Sequence, residues 1–186
     1  MANQQAAGDL TAFALDLADP QELQRRLRLF RHRALVRIIW RDLSGAAEVT
    51  GTLRDLSNLA DACINVALAW AQATLQARYG TPQTEEGAPC GFGVLAMGKL
   101  GGREPNYHSD LDVVFLYEAD GATRHRRRAA KNGETSNQHF FSQLAQRIIK
   151  VVTQLGPYGR LYELDPRLRP TGKSGSLAMP LVEFAR

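Results

Sequence analysis

Apolar residues recur every three to four positions at Leu23, Leu27, Phe30, Ala34 and Ile38, and that spacing predicts a helix with one apolar stripe. Asp19-Pro20-Gln21-Glu22 marks its start. Asp19 is a ready N-cap, Pro20 suits a first position whose N–H would have no partner, and Glu22 is spaced to complete a capping box. The helix should run to about Leu43, with Gly45 as its stop. A second stripe, Leu56, Leu59, Cys63, Val66 and Trp70, predicts a helix from about Leu53 to Tyr79, ended by Gly80-Thr81-Pro82. The two should pack as an antiparallel pair, with both stripes in the core.

Beyond this pair the pattern changes. Thr81 to Pro89 is polar, holds two prolines and Gly87, and reads as a linker. Phe92 to Met97 is a short apolar run, predicting a buried strand, and Leu111 to Tyr117 is a second, rich in valine and aromatics. A glycine-rich turn lies between them. Gln138 to Leu155 has helical spacing, with Phe141, Leu144, Ile148 and Val152 on one face. Arg160 to Asp165 alternates toward a third strand, and Ser176 to Met179 predicts a fourth. Pro180 to Arg186 starts like a helix and stops within two turns, as a fragment of a longer protein would. No internal repeat is present.

Composition narrows the class. A chain of 186 residues suffices for one or two units with their own cores. No apolar run approaches the roughly 18 residues of a membrane span, and the N-terminus lacks the basic-then-apolar order of a secretory signal. Cys63 and Cys90 are too few for a disulfide framework and show no metal spacing, which fits a reducing cytoplasm. The net charge of +4 draws heavily on Arg124-His125-Arg126-Arg127-Arg128 and Lys131. This cluster is either a contact for nucleic acid or a solvated loop. It lacks aromatic interleaving and sits in a polar segment, which favours the loop.

The candidate chemistry lies around the second strand. Asp110 and Asp112 are two apart, so on a strand they point to one side, where their charges repel. Bound divalent cations relieve such repulsion, and hard oxygen ligands suit magnesium. Upstream, Met97-Gly98-Lys99-Leu100-Gly101-Gly102 is a turn whose glycines either let the backbone approach a polyphosphate or simply make the turn tight. It is neither a Walker A loop nor a Rossmann fingerprint, because the lysine precedes the glycine pair and no G-x-G-x-x-G opens a helix. Asp165 ends the third strand, and Pro166 biases it toward an extended backbone. Arg167 and Arg169 either pair with the carboxylates or, with Lys173 in Gly172-Lys173-Ser174-Gly175, meet phosphate oxygens. His108, beside the aspartates, reads as a loop histidine.

Gly-Lys-Leu-Gly-Gly-Arg-Glu, then Ser109-Asp110-Leu111-Asp112, then Leu-Tyr-Glu-Leu-Asp-Pro-Arg-Leu-Arg-Pro-Thr-Gly resemble the glutamine synthetase adenylyltransferases. Residues 90–186 carry most of the likeness. Trp40-Arg41-Asp42-Leu43 and Leu56-Ser57-Asn58-Leu59-Ala60-Asp61 are similar to the helices before that family's catalytic domain. The resemblance implies an α+β fold, the mixed sheet of the DNA polymerase β-like nucleotidyltransferases with helices packed on it. A helical segment, 1–86, would precede a catalytic domain, 87–186, truncated at its C-terminal end. It implies Asp110, Asp112 and Asp165 as catalytic residues holding two magnesium ions, with Asp165 helping to deprotonate the nucleophile. Gly101, Gly102 and Ser109 would line the triphosphate of ATP, alongside Arg167, Arg169 and Lys173. The implied reaction moves AMP to a tyrosine of glutamine synthetase, regulating nitrogen assimilation. The alternatives are the phosphorolytic, deadenylylating half of the same enzyme, or an inert nucleotide-binding fragment. A PII-type regulator is implied through other parts of such a protein, and neither a membrane nor a nucleic acid is expected as partner. Pro105 departs from the leucine usual after Gly-Gly-Arg-Glu, which bears on loop shape rather than on the carboxylates.

Overall fold

In a computed structural model, which describes residues 19–125, 133–167 and 176–185, helix α1 spans Pro20–Leu43 and α2 spans Val49–Tyr79. Asp19 caps α1 by accepting from the Gln21 N–H at 2.9 Å. Glu22 closes no capping box with it; its carboxylate is gripped instead by Arg25 and Arg26. Gly45, at φ 70°, takes the left-handed turn that stops the helix. Helix α2 starts earlier than its stripe predicts, through Thr50 and Gly51. The reason is tertiary: Thr52 donates to Asp42 of α1 at 3.0 Å and Arg41 pairs with Asp55 at 2.7 Å. These partners join the end of α1 to the start of α2, as an antiparallel pair requires.

The segment expected as a linker holds a strand. β1, Thr81–Thr84, pairs antiparallel along its whole length with a strand at Gly121–Arg124. Its polar sequence hides it, because a two-stranded ribbon needs backbone partners rather than an apolar face. Gly121 makes the approach possible, since a Cβ there would lie 2.1 Å from the Gln83 carbonyl oxygen.

The main sheet is built on β3, Leu111–Tyr117, after β2 at Phe92–Ala96. β2 lies antiparallel along one edge of β3, from Phe92 opposite Tyr117 to Ala96 opposite Val113. With the Gly121–Arg124 strand as β4, β5 is Leu164–Asp165 and β6 is Ala178–Pro180. Both run parallel to β3 on its other edge, so the sheet is mixed. β2 is half-buried and exposed in alternation rather than buried, with Leu95 39% exposed, because it is an edge strand. The third strand is shorter than predicted. Tyr162 donates its N–H to Val152 of the long helix Asn137–Thr153 at 3.1 Å, which draws residues 161–162 off the sheet.

After the turn helix α3, Gly98–Gly101, that long helix is α4, Asn137–Thr153, capped by Ser136, whose hydroxyl accepts from the His139 N–H at 3.2 Å. Its Phe140, Phe141, Leu144, Ile148 and Val152 are buried in one cluster with the stripes of α1 and α2 and the inward residues of β3. The chain thus has an α+β architecture with a continuous core. The last element, α5 at Leu181–Phe184, is a single turn. No described helix is long and apolar enough to cross a membrane. Arg124 pairs with Glu134 at 2.9 Å, while Arg126, Arg127, Arg128 and Lys131 lie outside the described residues.

Phe141 joins the sheet to α4: its ring lies 5.3 Å from Phe92, 5.0 Å from Tyr117 and 5.3 Å from Phe140. Phe141→Ala should therefore lower unfolding free energy by about 3–5 kcal/mol, read from urea denaturation. A loss below about 1 kcal/mol would contradict this packing.

Candidate active site

β3 is anchored by buried Leu111 and Val113, and between them Asp112 is half-buried. Its carbonyl accepts from the Met97 N–H at 2.9 Å, while the Leu111 N–H donates to Glu163 at 2.9 Å. These bonds tie the start of β3 to the end of β2 on one side and to β5 on the other. In the parallel register Asp165 stands directly beside Asp112. Paired residues of neighbouring strands share a face, so the two carboxylates project to one side of the sheet. Asp110 enters the strand two residues earlier and is exposed. Three carboxylates from two separate stretches of chain thus gather at one end of β3.

The electrostatics reflect that gathering. Burial first, then the charges of Asp110 and Asp165, hold the Asp112 carboxyl above its ordinary range, and Arg167 and Lys99 act against that shift. Arg167 is the local counter-charge. Its backbone N–H donates to Asp165 at 2.9 Å, its Nε donates to both carboxylate oxygens at 2.8 Å, and its Nη2 donates to Oδ2. Those hydrogen bonds, with the fields of Asp110 and Asp112, stabilise the charged guanidinium. A cleft of about 370 Å³ opens here, lined by Asp110, Asp165, Arg167, Arg160, Glu163 and Thr153. Among the described residues no three His, Cys, Asp or Glu side chains close into a metal cage. The Asp165 oxygens face Arg167 instead.

The glycine-rich turn packs against this cluster. α3 is a single helical turn, and its first residue, Gly98, has φ 50°. A Cβ at Gly98 would lie 2.4 Å from Oδ2 of Asp112, and one at Gly101 would lie 2.6 Å from the Ala96 carbonyl oxygen. Gly102 is less constrained, meeting only the flexible end of Glu104 at 3.2 Å. The Gly101 and Gly102 N–H groups donate back to Met97 and Gly98 at 2.9 and 3.0 Å, so they hold the turn together. Ser109 is also engaged locally. Its hydroxyl accepts from the Asn106 N–H at 2.9 Å and donates to Asn106 Oδ1 at 3.0 Å. His108 is exposed, and Arg169 and Lys173 lie outside the described residues.

Gly98 is the residue that sequence reasoning passed over. Its role depends on the bond from Met97 to Asp112, which only the β2–β3 register reveals. Asp110, Asp112 and Asp165 are the residues that could hold a hard divalent cation, beside the Arg167 guanidinium and a cradle at Gly98 that a Cβ would fill.

The family model described as glutamate-ammonia ligase adenylyltransferase matches residues 1–186. A curated protein of Thioalkalivibrio sulfidiphilus, named bifunctional glutamine synthetase adenylyltransferase/adenylyl-removing enzyme, is 43% identical over 175 residues, 93% of this chain and 17% of the relative. Its namesake in Pseudomonas aeruginosa is 45% identical over 163 residues, 87% of this chain and 16% of the relative. That of Shewanella loihica is 38% identical over 179 residues, 96% of this chain and 18% of the relative. The chain spans about a sixth of the length of these relatives.

The raised Asp112 carboxyl has a consequence for stability. The folded chain binds this proton more tightly than the unfolded chain does, so Asp112 makes stability fall as pH rises through its folded value. At neutral pH without divalent cations, Asp112→Asn should therefore raise the thermal midpoint. Adding magnesium should stabilise the native sequence more than the variant, and a variant less stable than the native chain in chelator would contradict the assignment.

Proposed function

The chain belongs to the glutamate–ammonia ligase adenylyltransferase family, and on that premise we propose that it carries a nucleotidyl-transfer centre moving AMP from ATP to a tyrosine of glutamine synthetase. The observation that carries the reading is the register that sets Asp165 beside Asp112, with Asp110 two residues along. The mixed sheet, with its acidic central strand following a glycine turn, is in keeping with a nucleotidyltransferase fold of the DNA polymerase β type.

Asp110, Asp112 and Asp165 would hold magnesium, with two ions expected from so dense a set of carboxylates. When bound, magnesium would neutralise phosphate charge and polarise the α-phosphorus. Gly101 and Gly102 would line the triphosphate through the closeness their missing side chains allow, with Ser109 at the edge of the turn. Arg167, together with Arg169 and Lys173, would meet phosphate oxygens, the interaction for which a guanidinium is best shaped. The tyrosine oxygen attacks the α-phosphorus, the bond to pyrophosphate breaks, and Asp165 takes the hydroxyl proton. Two free thiols, one buried at Cys63 and one half-buried at Cys90, suit a cytoplasmic setting.

Purified as its gene encodes it, the protein should transfer label from ATP marked at the α-phosphorus to glutamine synthetase when magnesium is present. Asp110→Asn or Asp112→Asn should slow transfer by on the order of 10³-fold, the scale of losing metal-ion charge stabilisation. Unchanged transfer by the double variant would refute the metal assignment. If adenylylated glutamine synthetase with orthophosphate yields labelled ADP while forward transfer is absent, the centre is the adenylyl-removing one.

A further inference from the structure

Residues 103–109 carry the chain from the glycine turn to Asp110, and two side chains tether this loop to the helical pair. Arg103 reaches Asn58 and Asp61 of α2. The Tyr107 hydroxyl donates to Asp42 at the end of α1 at 2.7 Å, and the other oxygen of Asp42 accepts from Thr52 at 3.0 Å. Arg103 has φ 59°, the left-handed conformation that an L-residue avoids, and it is the one non-glycine residue to adopt it among the described residues. That backbone ends the turn helix in a Schellman motif, with the Arg103 N–H donating to Leu100 at 3.1 Å and the Glu104 N–H to Lys99 at 2.8 Å. Between the tethers Pro105 is buried, and Tyr107 packs partly buried against the core. The tethers flank the loop, with Gly101-Gly102 immediately before the first and Asp110 three residues after the second.

We infer that Arg103 and Tyr107 are positioning residues through which Asn58 and Asp61 of α2 and Asp42 of α1 fix the spacing between the glycine turn and the acidic strand, and with it the fit of a nucleoside triphosphate. This rests on the nucleotide reading of the site. The side chains of Arg103 and Asp61 remain 47% and 41% exposed, so their ion pair adds little to global stability. Its effect belongs in the loop.

The test uses Asp61→Ala, Tyr107→Phe, the double variant Asp61→Ala/Arg103→Ala and the swapped pair Asp61→Arg/Arg103→Asp. Each is measured by calorimetric titration with magnesium-ATP and by amide hydrogen exchange of residues 101–109 without nucleotide. Asp61→Ala and Tyr107→Phe should each weaken nucleotide binding by about 10-fold and speed exchange in the loop, with the thermal midpoint nearly unchanged. The double variant, which also loses the Asn58 contact, should bind at least as weakly as Asp61→Ala, and the swapped pair should recover part of the affinity. Native affinity and native exchange in Asp61→Ala and Tyr107→Phe would overturn the inference. A native chain that binds no magnesium-ATP would overturn the nucleotide reading itself, a failure distinguished by appearing before any substitution.

Discussion

Asp110, Asp112 and Asp165 meet because β5 lies in parallel register on β3, and three like charges at one strand end resist being brought together. Burial of Asp112 sharpens that resistance, since a carboxylate half-removed from water loses hydration that its neighbours cannot replace. Arg167 answers part of it by gripping Asp165, and Lys99 contributes from the glycine turn. The rest of the fold holds the cluster despite the repulsion. Leu111 and Val113 bury the strand beneath it, and Gly98 leaves room for the Asp112 carboxylate above. Bound divalent cations would relieve that repulsion, which is why the cluster supports the proposed metal site.

The frame supplying that restraint is broader than the sheet. Helix α4 fills the space between the strands and α2 with aromatic rings, which fixes the sheet's position relative to the helices. The helices in turn reach the loop before Asp110 through Asp42, Asn58 and Asp61. The motif residues of the N-terminal helices therefore connect directly to the loop of the site, although they lie 42 to 65 residues away along the chain.

Much of this was readable in the sequence where a physical period exposes it. The stripes of α1, α2 and α4 and the valine-rich β3 are repeated choices of apolar residue, so each shows itself locally. β1 did not show itself, because a polar ribbon satisfied only by backbone pairing leaves no period. The burial of β2 was overstated, since a short apolar run such as Phe92 to Met97 cannot tell an edge strand from a central one. Arg160 to Asp165 alternated like a longer strand, yet the bond from Tyr162 to Val152 is a contact that no local pattern encodes. The order of motifs marks the three aspartates as one candidate set, and the β3–β5 register sets two of them, Asp112 and Asp165, side by side. Gly98 was missed because its neighbour is set by strand register, and Arg103 because its partners lie on another element.

The proposed chemistry depends on these three carboxylates forming a single cation-dependent site. Manganese can replace magnesium as a paramagnetic reporter, titrated by electron paramagnetic resonance with a non-hydrolysable ATP analogue present. Two bound ions per chain are expected, with both lost when Asp110, Asp112 and Asp165 are all changed to asparagine. Undiminished manganese binding by that triple variant would contradict it.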